Sequence, residues 1–278
     1  MLQGFLKLIK NKSSVSGVLH RERSEEHYNL RRYLPDKPLS ELVEQFWFVN
    51  WNLDEGVSHT QRNLPDPNFN MIYENKKLKV IGPVSKTYSY EMRRAGEILG
   101  VKFEIGALSS FLVHPIHTYI DRTLDACSVF GLAIDEICPL LEESDNDGSF
   151  IEILSEAILP FLKNSNENLV KLRYIIKLIK NEKGIYRVEQ LSERVGLSIR
   201  TLQRMFHSHV GFSPKRLIRK YRLHHLLKEF EEERVEIAEV AALLDYTDQS
   251  HLIKDFSELI GMTPMRYKQS HYDGKFTK

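Results

Sequence analysis

The chain has 278 residues, 42% hydrophobic and 28% charged, with a formal net charge of +1. That length accommodates two ordinary domains, and the absence of any run of about 18 apolar residues excludes a membrane-spanning helix as an expectation. The two cysteines, Cys127 and Cys138, are too few for a disulfide framework or a zinc cage; they predict reduced, buried thiols in a cytoplasmic protein.

In chain order, MLQGFLKLIKNK is weakly amphipathic, but Gly4, its lysines and the lack of an A-x-A pattern set it apart from a secretory signal. It predicts a short surface helix or an arm that orders on contact. Residues up to 37 are polar and irregular. From Leu39 to Leu124 the segments EQFWFVNWNL, NFNMIYE, KLKVIGP and ILGVKFEIG alternate or run apolar and stop at Gly or Pro, which predicts closely spaced short strands in a β-sandwich or barrel. Within EQFWFVNWNL, alternation puts Phe46 and Phe48 on one face and Trp47 on the other, with core packing the expected role for this cluster and for Trp51, and the lining of a ligand cavity the alternative. From Ala133 onward the spacing is helical, interrupted by ESDNDGS and KNSNEN; the second gap predicts a domain boundary.

The small net charge conceals an asymmetry. Residues 169–270 hold 19 Lys and Arg against 13 Asp and Glu, whereas residues 1–168 hold 18 against 24. Gly196 to Lys228 contains no acid at all. An acid-free basic stretch of that length suits a polyanionic partner.

The C-terminal region also repeats at an offset of 50 residues. Ser198 matches Asp248, Leu202 matches Leu252, Arg204 matches Lys254, Phe206 matches Phe256, Gly211 matches Gly261, Ser213 matches Thr263 and Pro214 matches Pro264. In each Gly-x-Ser/Thr-Pro, glycine ends one helix, a hydroxyl caps the next and proline fills its first turn. Upstream of each copy, VEQLSERVG and VEIAEVAALLD carry an apolar face with a small residue, Ser192 or Ala241, where a crossing helix needs close approach. Two helix-turn-helix units joined by a long helix from about Pro214 to Phe230 are predicted.

LSERVGLSIRTLQRMFHSHVGFSPKRLIRKYRL and DYTDQSHLIKDFSELIGMTPMRYK resemble the DNA-binding domain of the AraC/XylS family of bacterial regulators, over roughly Leu169 to Gln269. Departures are Asp245 where that family usually has Gly, Leu252 for Phe and Leu226 for Ala. Asp245 must then take a left-handed backbone without glycine, at a cost of order 1 kcal/mol. In the front half, Pro38 to Trp47 (P-L-x-x-L-V-x-x-F-W), Leu64-Pro65-Asp66, Val80 to Pro83 and Gly100 to Phe103 resemble an uncharacterised, cupin-like sensor domain often attached to such readers, although Pro67 stands where Gly usually follows. Together these imply an α+β chain. A β-rich cupin-like barrel for sensing or dimerisation occupies residues 1–131, a helical connector 132–168, and an all-α double helix-turn-helix domain with its long linker helix 169–270.

The resemblance implies a sequence-specific transcription regulator that responds to a small-molecule effector. Its partners would be duplex DNA, a second copy of the chain and, for an activator, RNA polymerase. Base contacts are expected from Arg200, Gln203 and Arg204 in the first unit and from Gln249, Ser250, Ile253 and Lys254 in the second, since arginine reads guanine and glutamine adenine bidentately. Ser198, Thr201, Lys215, Arg216, Arg219 and Lys220 are expected on phosphates, and Arg222 as a structural residue of the linker. Arg62 and Asp66 are candidate polar anchors for an effector. His114 and His117 find no further ligands, so no metal, cofactor or catalytic set is assigned. Two cysteines also rule out the four-thiolate DNA-repair module fused to some AraC-type domains. The alternative is a cupin-like metal-dependent enzyme that the C-terminal domain merely tethers to DNA.

Overall fold

The computed structural model describes residues 26–131, 133–164, 167–182, 184–232 and 236–273; the expected N-terminal arm or surface helix lies outside them. Strands come first: β1 (Asn29–Tyr33), β2 (Val43–Asn52), β3 (Ser58–Asn63), β4 (Asn70–Glu74), β5 (Lys77–Ile81), β6 (Tyr88–Arg93), β7 (Ala95–Phe103) and β8 (Thr123–Asp125). They form a six-stranded sheet in the order β1-β2-β7-β4-β5-β8 and a two-stranded sheet, β3-β6. The described pairs are antiparallel, as expected for a chain that reads as short strands between turns.

Side-chain alternation gives the large sheet two faces with different jobs. Phe46 and Phe48 of β2, Met71 of β4, Val80 of β5 and Val101 and Phe103 of β7 point one way into a dry core. That core is closed by α1 (Ala126–Phe130), α2 (Ala133–Glu142) and α3 (Asp147–Ile158), which bring Phe130, Leu141, Phe150 and Leu154. Arg31 of β1 fastens α3 through Asp147 at 2.6 Å. The opposite face meets the small sheet. There Trp47, Ile72 and Ile98 gather with Met92 and Tyr90 of β6. Gly100 permits this packing, because a Cβ there would lie 2.3 Å from the Trp47 indole.

Helices α4 (Glu167–Asn181), α5 (Val188–Val195), α6 (Ile199–His209), α7 (Pro214–Glu232), α8 (Ile237–Leu243), α9 (Gln249–Ile260) and α10 (Pro264–Asp273) follow. The apolar residues that the periodicity singled out are inside. Leu191, Leu202 and Phe206 are buried with α4 and the start of α7, and Val240, Leu252 and Phe256 with the second half of α7 and Tyr267. Thus α7, 19 residues and about 28 Å long, is the shared wall of two separate cores.

Candidate nucleic-acid interface

The two proposed reader helices begin alike. The Ser198 hydroxyl accepts from the Thr201 amide at 3.2 Å, and the Asp248 carboxylate accepts from the His251 amide at 2.8 Å. Each occupies a free N–H at a helix start and fixes the first turn. Downstream, Gly211 and Gly261 both have φ +80, and the hydroxyls of Ser213 and Thr263 each accept from an amide three residues on, at 3.3 Å. The repeated sequence signals therefore correspond to repeated backbone chemistry.

The turns between the paired helices differ. After α5, Gly196 takes the left-handed conformation with φ +65, two residues before the Ser198 cap. After α8, Asp245 does so with φ +55, three residues before the Asp248 cap. The distal turn is one residue longer, and its carboxylate pairs with Arg187 at 2.9 Å. Between the units lies the guanidinium of Arg222, 3.4 Å from the centroid of Tyr246 and 5.6 Å from that of Tyr186. This cation–π bridge gives the linker arginine the structural role expected of it.

Arg200, Gln203 and Arg204 on α6 and Gln249, Ser250, Ile253 and Lys254 on α9 are exposed, while Leu202, Phe206, Leu252 and Phe256 of the same helices are buried. Ser198 and Lys215 are also exposed, and Thr201 is half-buried. The C-terminal ends of both helices face the β-domain. His209 Nδ1 lies 2.9 Å from the Ser109 hydroxyl, the His207 ring packs tilted against His117 at 5.1 Å, and Thr87 donates to the Leu259 carbonyl at 2.6 Å.

Three of the expected phosphate ligands have other partners. Lys220 is 7% exposed, and its ammonium lies 3.1 Å from the Asp66 carboxylate. That corrects its assignment: position 220 falls on the inward stripe with Leu217, Tyr221 and Leu227. Arg216 stacks over Phe212 at 4.4 Å and donates to the Ser85 carbonyl. Arg219 is paired with Asp255 at 3.2 Å and Glu258 at 2.6 Å. These side chains fasten the linker to its neighbours.

The two candidate effector anchors part company. Gln61 of β3 points inward, so Arg62 points outward. Its guanidinium lies against Gly261, 2.9 Å from where a Cβ would be, so Arg62 contacts the distal unit and does not line the cavity. Asp66 does border a cavity of about 350 Å³ between the two sheets, walled by Trp47, Ile72, Tyr90, Met92 and Ile98 among others. Trp47 thus takes the second of the two roles open to the aromatic cluster and borders a cavity.

Asp66 is also the centre of a buried ionic cluster. Lys102 of β7 approaches it at 2.7 Å and Glu44 at 3.8 Å, and Lys180 of α4 reaches Glu44 at 2.8 Å. The buried Asn68 side chain donates to Glu44 and to the Phe103 carbonyl. Burial alone would raise the Asp66 carboxyl, but Lys102 and Lys220 outweigh it and hold the group well below the usual carboxylate range. Burial pulls the Lys220 ammonium down to about 8 against the opposing attraction of Asp66.

Comparison with known proteins bears on both halves. Residues 191–270 match the helix-turn-helix domain family, and residues 31–125 match a domain of unknown function, DUF6597. An uncharacterised helix-turn-helix-type transcriptional regulator of Haemophilus influenzae is 24% identical over 118 residues, covering 42% of this chain. The matched segment spans 38% of that relative's length. Among solved structures, ToxT from Vibrio cholerae O395 aligns over 81% of this chain and 97% of its own, at 12% identity and a TM-score of 0.40. An AraC-type DNA-binding regulator from Chromobacterium violaceum aligns over 37% of this chain and 92% of its own, at 18% identity and a TM-score of 0.34.

Proposed function

We propose, from the premise that the C-terminal part of this chain is an AraC-type helix-turn-helix domain, that the protein is a sequence-specific, effector-responsive regulator of transcription. The observation that supports this most is the matched exposure of two capped helices. Each offers amide and cationic side chains to solvent while its leucine and phenylalanine are buried. Such a helix lies in a major groove with its N-terminal half on the base edges.

Arg200, Gln203 and Arg204 read bases in one groove, and Gln249, Ser250, Ile253 and Lys254 in the next groove on the same DNA face, about 34 Å away. Ser198, Thr201 and Lys215 hold phosphates. The β-domain takes a small effector and contributes to dimerisation, and an activating form engages RNA polymerase. The protein works in the cytoplasm by binding rather than by catalysis.

Selection of bound duplexes from a random pool, followed by gel-shift titration, tests this. The expected result is one enriched motif in two parts spaced by about one helical turn. Binding that is equally strong on all sequences, and lost uniformly with salt, would instead mark a protein that holds backbone without reading bases.

A further inference from the structure

Two loops that border the cavity, paired with each other through Asp66 and Val84, are shared with the DNA-reading half. Leu64 borders the cavity and is buried in the distal core with Leu223 and Tyr267. Asp66 borders the cavity and holds Lys220 of α7. Ser85 and Thr87, on the strand-to-strand connection whose Val84 pairs with Asp66, respectively accept from Arg216 and donate to the Leu259 carbonyl. One wall therefore separates the cavity from the linker helix, and a single carboxylate touches both sides of it.

Lys102, Lys180 and Lys220 pair with Glu44 and Asp66, and the carboxylate of Glu104 lies close enough to Lys180 and Lys102 to act on both. Lys102 borders the cavity and has three N–H donors; one is committed to Asp66 at 2.7 Å, and Glu44 stands off at 3.8 Å. The other acid of the lining, Glu74, is already engaged by the Tyr90 hydroxyl at 2.7 Å and Lys79 at 3.3 Å. The remaining surface is mainly aromatic and aliphatic, with the buried Arg32 and the amides Gln45, Gln61 and Asn70 among it, and the volume of about 350 Å³ falls within the range of small-molecule sites.

We propose that the cavity binds an amphipathic organic anion, with its apolar body against Trp47, Ile72, Met92 and Ile98 and its anionic group on Lys102. We propose further that occupancy reaches the DNA readers through Asp66, which exchanges its share of Lys102 for a tighter hold on Lys220. This deepens the effector-responsive function above and names the chemistry of that effector. An anion gives the remaining N–H donors of Lys102 an acceptor, while the apolar body displaces solvent from a hydrophobic space. Asp66 is a positioning residue in this scheme, since it acts on the linker through Lys220.

The test uses the full chain with two fluorescent probes of similar bulk, anionic 8-anilinonaphthalene-1-sulfonate and uncharged N-phenyl-1-naphthylamine. The sulfonate is expected to bind saturably at one site. Ile98→Trp should abolish binding of both probes by filling the space. Lys102→Met should weaken the sulfonate at least tenfold and leave the neutral probe within about twofold. Should Lys102→Met fail to fold, Asp66→Asn/Lys102→Met, which removes both charges of the pair, replaces it with the same expected contrast. In the relay arm, saturating sulfonate should change wild-type DNA affinity threefold or more and leave the DNA affinity of Lys220→Met unchanged, although that variant still takes up the probe.

Equal sulfonate binding by wild type and Lys102→Met, or undiminished binding by Ile98→Trp, overturns the site. A DNA response that survives in Lys220→Met overturns the relay. Sequence-blind DNA binding together with a normal probe contrast would sink the regulator function and leave the cavity assignment standing.

Discussion

The proximal and distal helix-turn-helix units are built on the same plan but differ in charge and in turn. The proximal reader α6 lies in a stretch without acids, and its turn has the glycine that a left-handed backbone favours. The distal reader α9 carries Asp255 and Glu258, both tied to Arg219 of the linker, and its turn places Asp245 at positive φ with one extra residue before the cap. The two units agree in what the core and the caps require and differ in the exposed face and the turn. This predicts a division of labour in which the proximal unit supplies most of the discrimination between bases.

The largest effects should be the same in both units. Phe206→Ala and Phe256→Ala each remove a ring with no exposure and should cost about 3–5 kcal/mol in stability, measured by urea denaturation. A cost at only one of them would mean that the two cores are not equivalent. Next comes the linker between the units. Lys220 has an ordinary value of 10.5 and is held at about 8 when folded, so between those pH values the native chain binds fewer protons than the unfolded one. Stability should rise with pH across that window, by at most about 3 kcal/mol from this group. Lys220→Met should remove that rise.

The units should separate on DNA. Arg204→Ala is expected to cost about 1–3 kcal/mol at a single base position, and Lys254→Ala a smaller loss, also confined to one position, in the distal half-site. The reverse pattern in binding-site selection would make the distal unit the discriminating one. Smallest are the turns. Gly196→Ala meets nothing within 4 Å and should lose only the backbone cost, about 1 kcal/mol. Asp245→Gly relieves a similar cost but forfeits the half-exposed Arg187 pair, so the net change should stay within about 1 kcal/mol.

What could be read from the amino acids alone follows the range of the interactions. Ser198, Asp248, Gly211 and Gly261 act on backbone groups a few residues away, so their spacing announces both helix pairs. Strand alternation likewise separates Phe46 and Phe48 from Trp47. In the all-polar SHTQRN no alternation marks the inward side, so the outward turn of Arg62 follows only from the burial of Gln61 beside it. The basic run around Lys220 points to phosphate, although its helical neighbours Leu217 and Tyr221 mark the buried side. The meeting of Asp66 with Lys220 spans 154 positions along the chain and depends on how the β-domain docks. No local pattern encodes it, and the cavity behind it is equally invisible to periodicity.

The continuous linker helix also limits how this protein can evolve new operators. A helix advances about 1.5 Å and turns about 100° per residue. One added residue in α7 would therefore swing the second unit far around the duplex while scarcely changing its reach, and would carry Lys220 or Arg222 off its partner. Only insertions near two or three whole turns restore the phase. Half-site spacing in descendants should thus change in rare, large jumps, while base preference drifts freely through the exposed side chains.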